Sequence, residues 1–307
     1  MLTSLNAVLS KAKRRGYAVG AFNVHNLEFL QAILEAATEE KAPVIIQTSE
    51  GAIHYAGMEN IAALVRNMAK KMKTPVVFHL DHGRDMRLIK AAVNSKLYSS
   101  IMYDGSCFSF TQNISHTKKV VAMAHKKGIN VEAELGSIGG AQHSLTTPAL
   151  NIQMTEPTQA AIFVKETKCD ALAVSIGTSH GAYKFSGPCR LDLERLLRIK
   201  KAVQVPLVLH GASGIPKDMK KLCLQYGCRI EEAHGVSDQM IKESIKLGIV
   251  KINIDTDLRI AFDAGMRQFL AEHPESTDPR EILNWAKHLI TKVVKHKMRL
   301  FGSSGRG

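Results

Sequence analysis

Ionisable side chains follow directly on an apolar run in the stretch FHLDHG. Residues 75–78 are apolar, and His79, Asp81, His82 and Gly83 come next. Buried ionisable groups cost free energy unless they have partners, so this stretch taken alone is either a strand that runs out into solvent or part of a site. Strict alternation would place Asp81 and His82 on opposite faces of a strand. Both side chains can reach one site only if the strand ends here, as Gly83 allows. We expect His79 to pack near Asp81 or to support it.

Seven more β-rich runs also end in polar residues, which are Asn23, Ser49, Asp104, Glu134, His180, His210 and the pair Asn253 and Asp255. With His82, this set includes three histidines far apart in sequence. Three neutral imidazoles with an open coordination position suit a catalytic Zn²⁺, which polarises a carbonyl or stabilises an enediolate. A single histidine at such a place is more often a hydrogen-bonded rim residue, so the prediction depends on all three converging.

The elements that must position these side chains alternate along the chain. Eight β-rich runs cover residues 17–24, 42–50, 74–83, 98–106, 130–137, 170–181, 205–213 and 248–257. Amphipathic stretches with helical spacing lie between them, and a further helix is expected within residues 278–302. This α/β pattern, without a composition break, predicts a single (β/α)₈ TIM barrel over residues 1–307 with an extra C-terminal helix. An open doubly wound sheet is the alternative, but no GxGxxG follows the first run.

Small and basic residues near three of the strand ends indicate phosphate binding. SHGAYK places Gly181 and Lys184 beside a candidate metal ligand, and HGASG offers backbone N–H groups to an anion. The stretch NIDTD adds Asn253, Asp255 and Thr256. Barrel enzymes often bind phosphate at the loops after strands seven and eight, so these stretches together predict an anionic substrate.

Composition narrows the class of protein. The 307 residues carry 41 Lys and Arg against 28 Asp and Glu, a net charge of +13, but no recognised nucleic-acid motif. No apolar run is long enough to span a bilayer, and the N-terminus does not resemble a signal peptide. The five cysteines form no CxxC pair, which argues against a disulfide framework and a cysteine zinc site and fits a cytoplasmic protein.

Six stretches together resemble the class II, zinc-dependent fructose-1,6-bisphosphate aldolases and their tagatose-bisphosphate relatives. They are GAFNVHNLEFLQAILEAA, HLDHG, VEAELGSIGG, IGTSHGAYKF, PLVLHGASGIP and KINIDTDLRIAF, in this order from about residue 16 to the C-terminal helix. The resemblance implies reversible cleavage of fructose 1,6-bisphosphate to dihydroxyacetone phosphate and glyceraldehyde 3-phosphate, with tagatose 1,6-bisphosphate as the alternative substrate. A catalytically weakened sugar-phosphate-binding protein is the alternative of another class.

The resemblance also implies a role for each matching residue. Zn²⁺ would be held by His82, His180 and His210, with Asp104 and Glu134 at a second metal position, where a second divalent or a monovalent cation could lie. Asp81 would exchange a proton with the hydroxyl at the bond being broken. The substrate would be bound by Asn23, Ser49, Gly181, Lys184, Gly211, Ser213, Asn253, Asp255, Thr256 and Arg259. Arg280 would reach the second phosphate from a neighbouring subunit, which implies a homodimer or homotetramer.

Two stretches depart from the family pattern. MYDGS stands where relatives commonly read MIDAS, and the carboxylate of Asp104 is kept. GGAQHS stands where relatives usually carry a glutamate that exchanges the proton on carbon, so Gln142 occupies that place and His143 follows it. An amide cannot take up a proton at neutral pH. We expect His143 to serve in its place, or the carbon protonation step to be slowed.

Overall fold

The computed structural model describes residues 2–138, 153–179, 190–230 and 234–307. Within them, eight parallel strands close a barrel in chain order. The strands are β1 (Val19–Asn23), β2 (Val44–Ser49), β3 (Val76–Gly83), β4 (Ser100–Tyr103), β5 (Asn130–Leu135), β6 (Ala171–Val174), β7 (Leu207–Leu209) and β8 (Ile249–Ile254). Each lies inside one of the β-rich runs expected from the sequence, so the barrel prediction is confirmed.

Helices alternate with these strands. They are α1 (Leu5–Arg15), α2 (Leu27–Glu39), α3 (Glu50–Ala56), α4 (Met58–Ala69), α5 (Met86–Ser95), α6 (Phe110–His125), α7 (Pro157–Thr167), α8 (Leu193–Ala202), α9 (Lys217–Gln225), α10 (Asp238–Lys246), α11 (Thr256–Glu272) and α12 (Pro279–Leu300). No helix in the described part of the chain is both long and apolar enough to cross a bilayer.

Helix α1 covers the end of the barrel at which the strands begin. Its fully buried Leu5 and Leu9 belong to the apolar cluster that includes Val77 and Val208 from the strands. The Asn6 amide donates to Asp170 Oδ1 at 2.8 Å, and Asp170 directly precedes β6. Because this end is filled by apolar side chains, the open mouth of the barrel is the end at which the strands finish.

The C-terminal helix α12 begins after Asp278, whose side chain accepts a hydrogen bond from Arg280 N, and Pro279 occupies the first turn. It packs against α2 and α11. A Cβ on Gly265 of α11 would lie 2.6 Å from Ala286 Cα, so glycine is required for this close helix contact. The extra C-terminal helix is thus confirmed.

Candidate active site

Strand β3 ends at Gly83, as the sequence led us to expect, but its last residues depart from regular strand geometry. The strand runs through Gly83, and its register with β4 shifts between Leu80 and Gly83. At His82 the backbone adopts φ 48°, in the left-handed region that non-glycine residues rarely occupy. This irregularity breaks the alternation of side chains, so Asp81 and His82 both face the barrel mouth.

The Asp81 carboxylate is held by two amides from neighbouring strands. Asn23 Nδ2 donates to Asp81 Oδ2 at 2.9 Å, and Asn253 Nδ2 donates to Asp81 Oδ1 at 3.0 Å. Gln47 Nε2 in turn donates to Asn23 Oδ1 at 2.7 Å, which fixes the orientation of that amide. Burial would raise the pKa of Asp81, but the charge of His82, followed by that of Lys251, outweighs it and lowers the pKa. Asp81 is therefore an ionised, oriented carboxylate.

Two imidazoles and two carboxylates meet beside Asp81. The rings of His82 and His210 lie 4.5 Å apart between centroids. Glu134 Oε2 is 3.1 Å from His210 Nδ1 and 3.9 Å from His82 Nδ1, and Asp104 Oδ2 is 3.1 Å from His82 Nδ1. All four residues are buried. The structure thus brings together the described candidates for metal binding.

A buried ion pair lies one layer deeper in the barrel. Lys251 Nζ is 2.9 Å from Glu132 Oε2 and donates to Asn253 Oδ1 at 2.7 Å, and both charged residues are fully buried. Glu132 Oε1 is 2.8 Å from His210 Nε2. A carboxylate on one imidazole nitrogen fixes the ring, leaving the other nitrogen directed at the site. Lys251 and Glu132 therefore connect the amide that orients Asp81 to the histidine at the centre of the cluster.

The remaining pKa shifts in this cluster show how strongly burial and neighbouring charges act on its carboxylates and imidazoles. Burial, together with the nearby Asp104 carboxylate, raises the pKa of Glu134. Burial would lower the pKa of His210, but hydrogen bonds with Glu132 and Glu134 outweigh it and raise the pKa to about 9. Burial and the Lys251 ammonium lower the pKa of His79 to about 3, and its Nδ1 lies 2.8 Å from Ser100 Oγ. His79 is thus a packed, neutral imidazole.

These donors fit a divalent cation. Ligand atoms from His82, Asp104 and Glu134 lie within 4.8 Å of one another, as do those from Asp81, His82 and His210. Two crowded carboxylates and two imidazoles are the donor types that bind Zn²⁺ and related metals. A cation here would favour the ionised form of Glu134, whose pKa is raised by burial and by the Asp104 carboxylate.

The candidate phosphate ligands that the structure describes lie around the ends of β7 and β8. Gly211 has φ 61°, and a Cβ there would lie 2.6 Å from the Ser179 carbonyl oxygen, so only glycine fits. Ser213 is buried on the same loop. Asp255 and Thr256 form the start of α11, where backbone N–H groups favour anions.

Other predicted substrate residues have partners within the chain. Asp255 Oδ1 is 2.9 Å from His25 Nε2, and Asp255 Oδ2 is 3.7 Å from Arg259 Nη1. Ser49 lies opposite Asp81 in the β2–β3 register, and its Oγ accepts the Ala52 N–H at the start of α3.

The Arg280 side chain is 89% exposed and pairs with Asp278. The predictions for Gln142, His143, His180, Gly181 and Lys184 lie outside the described residues.

Sequence reasoning missed three charged residues that contact this site. Glu132 and Lys251 could have been found from alternation, because they precede Glu134 and Asn253 by two residues on the same strand face. Arg84 could not, since only the fold brings its Nε to 2.8 Å from Asp104 Oδ2. Burial would raise the pKa of Asp104, but His82 and Arg84 outweigh it and hold the pKa well below its usual range.

Comparison with known proteins agrees with this geometry. The family model described as "Fructose-bisphosphate aldolase class-II" matches residues 3–306. The chain belongs to the class II fructose-bisphosphate aldolase family. It is 45% identical to a fructose-bisphosphate aldolase of Thermus caldophilus and 43% identical to one of Helicobacter pylori, with 100% of each chain covered. The resemblance inferred from the sequence motifs is confirmed.

Solved structures support the same assignment. The YdjI aldolase of Escherichia coli superposes with a TM-score of 0.79 at 35% identity, covering 100% of this chain and 99% of that one. A fructose-bisphosphate aldolase of Campylobacter jejuni gives a TM-score of 0.79 at 25% identity, covering 100% and 97%. Aldolases are lyases and the class II enzymes are metal-dependent, so this chain is a metal-dependent aldehyde-lyase.

Proposed function

We propose that this class II aldolase cleaves fructose 1,6-bisphosphate reversibly to dihydroxyacetone phosphate and glyceraldehyde 3-phosphate, with Zn²⁺ as its metal. The observation that carries the proposal is the position of Asp81. Two amides orient its ionised carboxylate beside the cluster of His82, His210, Asp104 and Glu134. An acid–base group next to a metal-binding cluster is what cleavage next to a carbonyl requires.

The metal would be held by His82 and His210 with His180, and Asp104 and Glu134 would serve a second or alternate position. When bound, Zn²⁺ supplies a Lewis acid that polarises the substrate carbonyl, so no Schiff-base lysine is needed. Glu132 would keep the His210 ring oriented through its 2.8 Å contact with Nε2. Arg84 Nε donates to the same Asp104 oxygen that His82 contacts, and the arginine charge keeps that carboxyl ionised.

Asp81 would take the proton from the hydroxyl at the bond being broken and return it in the condensation direction. The hydrogen bonds from Asn23 and Asn253 leave the carboxylate ionised and hold its plane fixed. Gly211, Ser213, Asn253, Asp255 and Thr256 would bind one phosphate together with Gly181 and Lys184, and Arg259 would lie near the other. Asn23 and Ser49 would line the sugar.

The proton on carbon would be handled by the loop that carries Gln142 and His143. An unperturbed imidazole titrates near pH 6.5, which suits proton transfer near neutrality, whereas an amide does not titrate. Solvent proton exchange into dihydroxyacetone phosphate tests this role. If His143 acts, His143→Ala lowers the exchange rate at least about tenfold; if the step is merely slow, Gln142→Glu raises the rate.

We further propose that the chain acts as a single-domain cytoplasmic homodimer or homotetramer in glycolysis and gluconeogenesis. Arg280, exposed at the start of α12, would reach the second phosphate of a neighbouring subunit. Replacing Arg280 with alanine would then raise KM for the bisphosphate while leaving metal content unchanged.

Turnover on fructose and tagatose 1,6-bisphosphates, measured before and after chelation, tests the proposed function. We expect fructose 1,6-bisphosphate to be preferred, chelation to abolish cleavage and Zn²⁺ to restore it. Preference for the tagatose epimer would support the alternative substrate. Tight binding of both sugars without turnover would identify a binding protein, and cleavage that persists without metal would contradict the proposal.

A further inference from the structure

Two cysteines lie together at the end of α9, outside the proposed active site. Cys223 Sγ, Cys228 Sγ and a carboxylate oxygen of Asp263 lie within 4.8 Å of one another. Cys223 is buried and Cys228 is partly exposed. Sequence patterns do not predict this pair, because a spacing of five residues matches no common metal or redox motif.

A helix-terminating turn brings the two cysteines together. Gly227, with φ 81°, follows the end of α9, and its N–H donates to the Leu224 carbonyl at 3.2 Å. The Cys228 N–H donates to the Cys223 carbonyl at 2.9 Å. These two hydrogen bonds define a Schellman motif, in which the side chains at the positions of Cys223 and Cys228 commonly contact each other.

This turn also fixes the separation of the two backbones. With the 2.9 Å hydrogen bond between Cys228 N and Cys223 O, standard bond lengths place the two Cα atoms at most about 6.8 Å apart. Disulfides join Cα atoms about 4.4–6.8 Å apart. The Cα separation is therefore within the reach of a disulfide, and the two sulfurs already lie within 4.8 Å of each other.

The surroundings favour a disulfide over a metal centre. Arg267 Nε lies 2.9 Å from both carboxylate oxygens of Asp263, so a cation would have to displace this arginine. The Cys223 thiol lies 3.5 Å from the Ile260 carbonyl and 4.0 Å from Asp263 Oδ2. Burial raises the pKa of Cys223 to about 12, and burial also raises the pKa of Cys228. Both thiols are thus mostly protonated at neutral pH, so oxidation proceeds slowly through the small thiolate fraction.

We propose that Cys223 and Cys228 form a reversible dithiol–disulfide pair that a low-molecular-weight disulfide oxidises. The partly exposed Cys228 loses its proton and attacks the oxidant as a thiolate, which releases one small thiol and leaves a mixed disulfide. Cys223 then attacks Cys228 Sγ and releases the second small thiol. The two cysteine protons pass to the two released thiols, so two cysteines are oxidised and one small disulfide is reduced.

Gly235 and Val236, which follow Cys228 in the chain, contact the loop after β7. Val236 N donates to the Ser213 carbonyl at 3.1 Å, and a Cβ on Gly235 would lie 2.5 Å from that same oxygen. Cys228 precedes Gly235 by seven residues in the chain. Oxidation would therefore fasten the chain, before it reaches these contacts, to the last turn of α9.

The experiment equilibrates the full-length protein in buffers of reduced and oxidised glutathione, followed by acid trapping, alkylation and peptide mapping. We expect a linked peptide containing Cys223 and Cys228 that lacks two hydrogen atoms and returns to the dithiol on reduction. The fold should favour this disulfide at least about tenfold over the same chain in denaturant, because it sets a high effective concentration of one thiol at the other.

Matched variants separate this pair from other thiols. Cys223→Ser and Cys228→Ser should each abolish the linkage, whereas Cys107→Ser should leave it unchanged, since Cys107 is an exposed cysteine elsewhere. Gly227→Ala tests the turn, because a Cβ at this position would meet no atom within 4 Å and alanine adds only strain at positive φ. Gly227→Ala should lower the ratio of disulfide to dithiol in the folded protein at a given glutathione buffer.

Three results would overturn the proposal. The first is a pair that stays reduced in the folded protein under fully oxidising buffer. The second is a disulfide no more stable in the folded protein than in denaturant. The third is protection of the reduced pair from alkylation that a chelator removes with release of a metal ion, which would identify a metal site instead.

Discussion

At the residue scale, the site consists of buried charges whose partners come from different strands. Asp81 receives amide hydrogen bonds from β1 and β8, and the Asn253 amide is itself oriented by Lys251. Lys251 in turn neutralises Glu132, which contacts His210. Each polar group therefore depends on the next, and single substitutions should have effects beyond the contact removed.

Asp81→Asn should lower kcat by about 10²–10⁴-fold, because the variant keeps the shape of the side chain but cannot accept a proton. Metal content and thermal stability should change little, since the amide can still accept one of the two hydrogen bonds from Asn23 and Asn253. Steady-state kinetics together with metal analysis check this. Turnover within about threefold of the parent would show that Asp81 is not the acid–base group.

Lys251→Met should lower kcat by about 10–100-fold, because Asn253 loses the donor that orients its amide toward Asp81. It should also destabilise the fold by about 3–5 kcal/mol, because the buried Glu132 loses the ammonium that pairs with its Oε2 and keeps only the contact with His210. The double variant Lys251→Met/Glu132→Gln removes both charges and should recover stability but not turnover. If kcat recovers with stability in the double variant, Lys251 has only a structural role.

At the element scale, the deciding feature is the irregular end of β3. His82 at φ 48° and the register shift against β4 place two successive side chains on the barrel mouth. Gly83 is necessary for this path, because a Cβ there would lie 2.8 Å from the Met102 carbonyl oxygen and 3.0 Å from Ile89. The strand thus depends on a glycine that packs closely against β4 and α5.

Gly83→Ala should displace the end of β3, and with it His82, so that both metal occupancy and turnover fall. The reason is the 2.8 Å approach to backbone, which a side-chain rotation cannot relieve. Metal analysis after dialysis and calorimetric unfolding check this. Gly128→Ala is the matched control, because it adds strain at φ 71° but meets no atom within 4 Å. Gly128→Ala should lower the free energy of unfolding by about 1–2 kcal/mol and leave the metal content unchanged. Equal metal loss in both variants would contradict the prediction.

At the scale of the whole molecule, a buried ion pair connects the last helix to the active-site face. Asp257 in the first turn of α11 accepts N–H groups from Gly214 and Ile215 at 3.0 and 2.7 Å. Lys297 of α12 lies 2.9 Å from the same carboxylate, and both side chains are almost fully buried. The C-terminal helix therefore supports the loop after β7, which carries Ser213.

Protonation of Asp257 at acidic pH should lower the free energy of unfolding. Burial would raise its pKa, but Lys297 and the two backbone N–H groups outweigh burial and lower the pKa. A lowered folded-state pKa contributes stability that is complete above the unfolded pKa of about 3.9 and is lost as the pH falls through the folded-state value. Unfolding temperatures of the metal-free protein between pH 7 and pH 2 check this.

Asp257→Asn should lower the free energy of unfolding by about 3–5 kcal/mol at pH 7, because the Lys297 ammonium stays buried without its counter-ion. The difference in the free energy of unfolding between the variant and the parent protein should become smaller below about pH 4. Asp218→Asn is the control, since Asp218 pairs with Lys292 at the surface, where both side chains are more than half exposed. A difference that stays constant down to pH 2 would show that Asp257 does not titrate in this way.

The eight strands, their polar ends and the family were all predictable from the sequence. Alternation of β-rich and amphipathic runs is a local property, and parallel strands must present their C-terminal ends at one mouth of a barrel. The candidate ligands His82, His210, Asp104 and Glu134 could therefore be named from the sequence alone. The motifs around them were sufficient for the resemblance that the family comparison confirms.

Only the tertiary structure decided how the charges are compensated. Lys251 and Glu132 are 119 residues apart, and alternation could place each in the barrel but not pair them. The left-handed backbone at His82 arises from the register shift against a neighbouring strand, which local propensity does not encode. Asp257 likewise looked like part of a strand-end motif, yet it supports a loop from another strand. Buried polar groups need specific partners, and the packing of distant segments determines which partners they have.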